Sequence, residues 1–444
     1  MSSNRTVVQR IDYGLTLKAT DESRSEALLD SRGLEAGRGA RETPAVPRLI
    51  FIVVLLLIFG GVVGGGHYYI VRRLIVDTAL SPGLEAVLVW GVVLAATSLF
   101  LQPIGDRLMK PPWSRIIAWP ASIWMGLFFY LFLLVCFSDL LIFLTGPSNP
   151  MVLYAADAPS WLGTLEVARV RAIAVFFAAL VFVAVGLRGG LARPQLKRVD
   201  VWPARWPAAL DGFRIVQISD IHIGPILDRR FSRQLTERVN ALDPDVVAIT
   251  GDIVDGSVEK LSDEVAPFGD LRARHGVFFV TGNHDHYSGA DAWVERMRAL
   301  GFRVLRNERV TIERDGSAFE LAGVDDHRAG LESRSGGEDL AAALAGLPPD
   351  RAVILLAHDP TTFKKAQAMG IDLQLSGHTH GGQIWPFRYF VRLAIPFVAG
   401  LYRRGDAQLY VSCGTGFWGP PMRLFAPAEI TDIRLRAAAA GEAT

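Results

Sequence analysis

Cysteine is nearly absent from this 444-residue chain, which has only Cys136 and Cys413. Cys136 sits inside an apolar run, so the pair offers neither a disulfide framework nor a thiolate zinc site. Net charge is equally scarce. The 46 basic and 45 acidic residues leave +1, which removes the global basic field that nucleic-acid binding exploits. What the chain has in quantity is apolar residues, at 50%, and a length that predicts at least two units.

The apolar residues are concentrated in the first half. Residues 1–47 are polar, of mixed charge and without periodicity, and read as a disordered tail. Four runs follow within residues 48–187: Leu49 to Ile70, Ala86 to Ile104, Ile116 to Leu144 and Ala172 to Leu187. Each is near the length of a membrane-crossing helix, and the first begins too far along for an ordinary secretory leader. The fourth is short and is completed if Arg169 and Arg171 extend their heads to the interface. Trp113, Trp119 and Trp161 fall near span ends, where amphipathic rings are favoured. Gly60, Gly61, Gly64 and Gly65 give small-xxx-small spacings that predict close helix approach. His67 and Asp139 are the polar exceptions and read as interfacial or packed. Basic residues near the span ends favour an integral, multi-pass protein of the inner cell membrane with its C-terminal domain in the cytoplasm, although Arg72 and Arg73 oppose this orientation.

Residues 188–212 carry Pro194, Pro203 and Pro207 among basic residues and read as a juxtamembrane linker. From Phe213 to about 436, short β-branched or aromatic runs alternate with helix-like segments, and 437–444 reads as a tail. The alternation predicts a layered α/β domain with a mixed sheet or two packed sheets. Strands are expected at Phe213 to Ile218, Val246 to Ile249, Val277 to Val280, Arg303 to Leu305, Phe319 to Ala322, Val353 to Leu356, Leu373 to Leu375, Leu409 to Ser412 and Ile430 to Leu435.

Most of these strands end in residues with metal-binding side chains: Ser219-Asp220-Ile221-His222, Gly251-Asp252, Gly282-Asn283-His284-Asp285, His358 and Gly377-His378-Thr379-His380. A lone histidine beside a strand is usually packed or solvated, and a lone aspartate usually caps a turn. Five of the nine histidines lie in these motifs, and their joint occurrence favours a metal site. Asp220 and His222 can reach one ion from a turn leaving a strand. Asp252 is placed to bridge two ions, Asn283 offers an amide oxygen and His358 a nitrogen. Gly377 lets the chain turn so that His378 and His380 reach the same place. Nitrogen and oxygen donors without thiolates suit two divalent ions of Mn, Fe or Zn better than Mg or Ca.

In this order the five motifs resemble those of the calcineurin-like metallophosphoesterases, over roughly Phe213 to Arg436. Ser376 to Ile384 is similar to the membrane-attached branch of the YkuE/YaeI type, and the four preceding runs resemble the transmembrane metallophosphoesterases. The resemblance implies a four-layer αββα sandwich. It also implies that Asp220, His222 and His380 hold one metal, that Asn283, His358 and His378 hold the other, and that Asp252 is shared. Metal-activated hydroxide would then attack phosphorus, with His284 offsetting charge and donating a proton to the leaving group. Asp285 either orients the His284 ring or caps the turn.

Several readings stay open. His286 reads as solvated or cleft-lining, and Asp325, Asp326 and His327 as a turn or a substrate contact. Cys413 reads as packing rather than nucleophile. The aromatic and arginine-rich stretch from Ile384 to Arg404 reads either as an internal hairpin or as an interfacial surface for an acyl-bearing substrate. The substrate is expected to be a phosphodiester, phosphomonoester or pyrophosphate, with a phospholipid or lipid-linked intermediate as one partner. A weakly catalytic metal-binding scaffold, a phosphoesterase for soluble nucleotides and a transporter with a catalytic domain are the competing readings.

Overall fold

The computed structural model describes residues 45–145, 164–327 and 337–437, with the side chains of 45–59 and 164–165 outside the description. Residues 1–59 separate from the remainder as a distinct unit. Of the expected tails at 1–47 and 437–444, residues 1–44 and 438–444 lie outside the described residues, as does Trp161, whereas 45–47 belong to a helix.

Four long helices open the described chain: α1 (Ala45–Leu74), α2 (Pro82–Leu108), α3 (Arg115–Thr145) and α4 (Thr164–Gly190). Among the described residues, α2, α3 and the Glu166–Gly190 part of α4 are long and apolar enough to cross a membrane. The expected run Leu49 to Ile70 lies in α1, half of it beyond the described side chains. Polar exceptions are paired inside the bundle. Asp139 meets Arg171 at 2.7 Å and Arg73 at 2.9 Å, and accepts from the Tyr69 hydroxyl. Arg169 donates to the carbonyls of Thr78 and Ala79 and pairs with Glu166. Both arginines of the fourth span thus have protein partners, where the sequence suggested free extension to the interface. His67 stacks on Phe128 and accepts from the Trp124 indole. Among the described residues the expected glycine contact is not seen: Gly60, Gly61, Gly64 and Gly65 have no neighbour where a Cβ would stand, and Gly66 lies against Phe128 instead.

Two six-stranded mixed sheets follow. The first has the order β1 (Gln195–Val201), β12 (Glu429–Leu435), β2 (Phe213–Ile218), β3 (Val246–Thr250), β4 (Val277–Val280), β5 (Arg303–Val304). The second has the order β10 (Gly400–Arg404), β11 (Ala407–Val411), β9 (Leu373–Ser376), β8 (Val353–Leu356), β7 (Ser317–Gly323), β6 (Glu308–Arg314). Residues 188–212 are not a linker, because α4 runs to Gly190 and β1 then pairs in parallel with β12. The hydrophobic pattern hid β1 because it is an edge strand, with six of its seven residues exposed or half-buried.

The layering follows from strand periodicity. In β3, Val246 and Ala248 face the core between the sheets, whereas Val247 and Ile249 face the helices Arg229–Asn240, Val258–Val265 and Ala290–Ala299. In β8, Ile354 and Leu356 face the same central core, and Val353 and Leu355 face a third cluster with Phe363 and Ala366. Both faces of these strands are covered, so they read as unbroken apolar runs rather than alternating ones. The result is helix, sheet, sheet, helix.

The α/β domain and the long helices meet without a spacer. Arg115 at the start of α3 donates to the Pro225 carbonyl and pairs with Asp228 at 3.1 Å. The Arg423 amide donates to the Gly186 carbonyl of α4 at 2.8 Å. A Cβ at Gly189 would run into the Arg423 carbonyl, and one at Gly190 into that of Pro421. The last turn of α4 is bare because backbone of the domain lies on it.

Candidate metal centre

Loops leaving the C-terminal ends of β2, β3, β4, β8 and β9 carry the candidate ligands. Residues 219–222 follow β2, 251–252 follow β3, 281–284 follow β4, His358 follows β8 and 377–380 follow β9. Six of the seven candidate ligands are brought together, and the seventh, Asn283, directly precedes His284 on the loop after β4. Asp220, His222 and His380 offer donor atoms mutually within 4.8 Å, as do Asp252, His358 and His378. A third such group is His222, Asp252 and His284. His222 Nε2 and His380 Nε2 stand 3.0 Å apart, and His358 Nε2 stands 3.1 Å from Asp252 Oδ2. His378 Nδ1 lies 3.2 Å from His358 Nε2.

Building this cluster strains the backbone. Asp220, His222, Asp252, His378 and His380 all have φ between 51° and 70°. The left-handed region is unfavourable for side chains with a Cβ, and such strain gathers at functional sites. Gly377 allows the closest approach, since a Cβ there would overlap the Asp220 carboxylate. The His378 amide donates to that carboxylate at 2.9 Å.

The rings are aimed by their other nitrogens. His358 Nδ1 donates to the Thr250 carbonyl at 2.8 Å, and His222 Nδ1 to Asp255 at 3.0 Å. In each case Nε2 is left facing the cluster, the arrangement by which outer carboxylates and carbonyls orient metal-binding imidazoles. Burial, reinforced by charge on His358, lowers His378 to about 4, and burial with His222 and Arg423 holds His380 well below the usual range. Both rings therefore keep lone pairs for a cation. Asp252 is held ionised, because charge and hydrogen bonding from His358 outweigh its burial. Asn283 provides the sharpest test of fit. Its Oδ1 is buried and has no hydrogen-bond partner among the described residues. An orphaned amide oxygen is costly unless something accepts its lone pairs, and a cation would do so. The donor set of carboxylate, imidazole and amide oxygen fits divalent ions.

The two catalytic candidates separate here. The His284 ring lies in the cluster, with Nδ1 2.7 Å from Asp255 Oδ1. Burial opposes its charge, but Asp255 and Asp252 outweigh that and raise the ring to about 9. Asp285 does not orient it. Its carboxylate accepts from the amides of Asp252, Ile253 and Gly282 at 2.8–2.9 Å. Of the two roles left open for Asp285, it takes the turn-bracing one, and Asp255 takes the other.

Asp255 and Arg423 are the residues the sequence reading missed. Asp255 stands three positions beyond Asp252, at a spacing the motif does not mark. Arg423 is buried, which pulls it down to about 10, and its guanidinium donates to the carbonyls of Gly416 and Ala426 and lies 3.3 Å from His380 Nδ1. No sequence signal distinguishes it from a surface arginine. Other open residues are settled by burial. His286 is buried and bonded to Thr281 and Asp325 rather than solvated, and Asp325 pairs with Arg306. Asp326 is buried, and its charge acts on His358 and His378. Cys413 is buried and its thiol pushed up to about 11, as a packing residue requires.

With this geometry in view, similarity to known proteins is informative. Residues 213–382 match the calcineurin-like phosphoesterase family. A Bos taurus transmembrane protein with metallophosphoesterase domain is 40% identical over 320 residues, covering 69% of this chain and 71% of that protein. A Helicobacter pylori uncharacterized metallophosphoesterase is 37% identical, covering 56% of this chain and 66% of its own length. The uncharacterized metallophosphoesterase YkuE of Bacillus subtilis is 34% identical, covering 52% and 81%. Among solved structures, a dimetal phosphatase from Danio rerio aligns with TM-score 0.34 and 13% identity, covering 46% of this chain and 88% of that one. The chain belongs to the calcineurin-like phosphoesterase family, whose members are metal-dependent phosphoester hydrolases.

Proposed function

We propose that the chain is a membrane-anchored phosphoesterase using two divalent ions. Asp220, His222 and His380 hold one ion, Asn283, His358 and His378 the other, and Asp252 is shared. The observation that carries this reading is the buried Asn283 Oδ1, without a hydrogen-bond partner among the described residues, one position before His284 of the carboxylate and imidazole cluster. Bound there, the ions supply Lewis-acid stabilisation of phosphoryl oxygens and a nucleophile from water near neutral pH. The nitrogen and oxygen donors favour Mn, Fe or Zn.

The protein's own groups complete the chemistry. His284 is a proton donor to the leaving oxygen, and Asp255 fixes its ring through Nδ1 so that Nε2 carries the transferable proton. Asp285 braces the two loops that carry Asp252 and Asn283. Residues 48–187 form a four-span anchor, and the hydrolytic domain lies on the cytoplasmic side of the inner membrane. Aromatic side chains around the cluster and beside the spans favour a phosphodiester or pyrophosphate carried by a lipid. The test is hydrolysis of a soluble phosphodiester by the purified full chain before chelation, after it, and after Mn²⁺ is restored. Activity that disappears and returns supports the reading. Activity indifferent to chelation contradicts it.

A further inference from the structure

The segment that follows the last ligand motif turns toward the spans. Tyr130 of α3 donates to the Trp385 carbonyl at 3.0 Å, Phe129 meets Phe387 edge-on at 6.2 Å, and Phe182 of α4 stacks on Trp385 at 6.4 Å. Ile384, Met422 and Leu424 share one buried cluster with Ile70, Tyr130, Val135, Val175 and Val183. These contacts are not at helix tips. At 1.5 Å per residue, Phe129 lies about 21 Å along α3 from Arg115, and Phe182 about 12 Å along α4 from Gly190. A piece of the hydrolytic domain therefore sits beside the apolar middle of two candidate spans.

That piece is the helix Phe387–Ala394, in which no residue is buried. Leu393 is 86% exposed, and Tyr389, Phe390 and Phe387 are exposed with it. At 100° per residue, Arg388 and Arg392 share one narrow face, Phe387, Phe390, Leu393 and Ala394 lie on the far side, and Tyr389 and Val391 lie between. Trp418 and Phe425 are exposed nearby, Phe425 edge-on to Trp385. Water would surround this apolar surface at considerable cost. An aromatic, leucine-bearing face opposed by arginines is what an interfacial helix presents to lipid.

The same surface borders the candidate metal centre. A Cβ at Gly382 would overlap the Arg388 backbone, so the helix rests on the loop that carries His380. The Trp418 ring stands edge-on to the His284 ring at 5.7 Å.

We propose that the Phe387–Ala394 helix, flanked by Trp385, Trp418 and Phe425, beds into the bilayer that holds the spans, with Arg388 and Arg392 on anionic headgroups. The metal centre then opens at headgroup level, where a lipid-borne phosphoester reaches it without leaving the membrane. The inference rests on the membrane reading of the helices and concerns the surface around the centre rather than the metals.

The experiment places a nitroxide at Leu393→Cys in the Cys136→Ala background, Cys413 being buried, in the full chain in nanodiscs of phosphatidylglycerol and phosphatidylcholine. Labels at Val181 on α4 and at Asp315 in the β6–β7 turn serve as references. Relaxation by oxygen is compared with relaxation by a water-soluble nickel chelate. An oxygen-to-nickel ratio at 393 near that of Val181, and well above that of Asp315, is expected. A ratio at 393 matching Asp315 while Val181 stays lipid-like overturns the docking alone. Water-like behaviour at Val181 as well sinks the membrane reading beneath it. Neither result depends on activity, so failure of the two-metal reading shows separately in the chelation test.

Discussion

Asp255 Oδ1 lies 2.7 Å from Nδ1 of His284. The same carboxylate reaches His222 Nδ1 at 3.0 Å, so one acid aims both a candidate ligand and the candidate proton donor. Asp255→Asn keeps the shape but loses the charge and makes one acceptor serve two rings. Outer partners of this kind contribute about 10–100-fold to metal affinity or activity. A loss of that size is expected in a metal titration and in kcat, with thermal unfolding little changed.

His284 itself offers a sharper distinction. If it protonates the leaving oxygen, His284→Gln should lower kcat on an alkyl phosphodiester by about 10²–10⁴-fold. A nitrophenyl ester, whose leaving group needs little protonation, should suffer much less. Equal losses on both substrates would remove the proton-donor role.

Gly189 tests the contact between α4 and the domain. A side chain there collides with the Arg423 carbonyl, and neither backbone can withdraw without breaking the bond from the Arg423 amide to Gly186. Gly189→Val should destabilise by about 1–3 kcal/mol, as overpacking does, read as a lowered unfolding midpoint in detergent. Arg423 borders His380, so bound metal should fall as well.

Asp325 contributes to the acid limit of stability. Burial opposes its charge, but His286, Thr281 and Arg306 outweigh this and lower it from 3.8 to about 2. Its folded pKa is depressed, so its contribution is complete above about pH 4 and is lost as pH falls toward 2. His286 is raised against its burial by Asp325. Its contribution is complete below its ordinary 6.5 and is lost as pH rises beyond the raised value. Asp325→Asn should flatten the acid limb of an unfolding-midpoint profile and weaken the alkaline one.

The central strands and the ligand motifs were legible because covered strands make continuous apolar runs and the loops after them carry uncommon side chains. Phe213 to Ile218 and Val353 to Leu356 coincide with β2 and β8. The edge strands β1, β6 and β10 were not found, since exposed faces dilute their pattern. The Phe387–Ala394 helix was equally hidden, because it buries nothing. Asp255 and Arg423 act through distant partners, His222 and His284 for one and His380 for the other. Such pairings exist only once the loops are folded together.

Metal content is the most direct test. Elemental analysis of the purified full chain, reconstituted with Mn²⁺ and desalted, should give two ions per chain, and Asn283→Ala should lower that number while the protein stays folded. A chain that binds no divalent ion, or keeps full phosphodiesterase activity without any, would contradict the account.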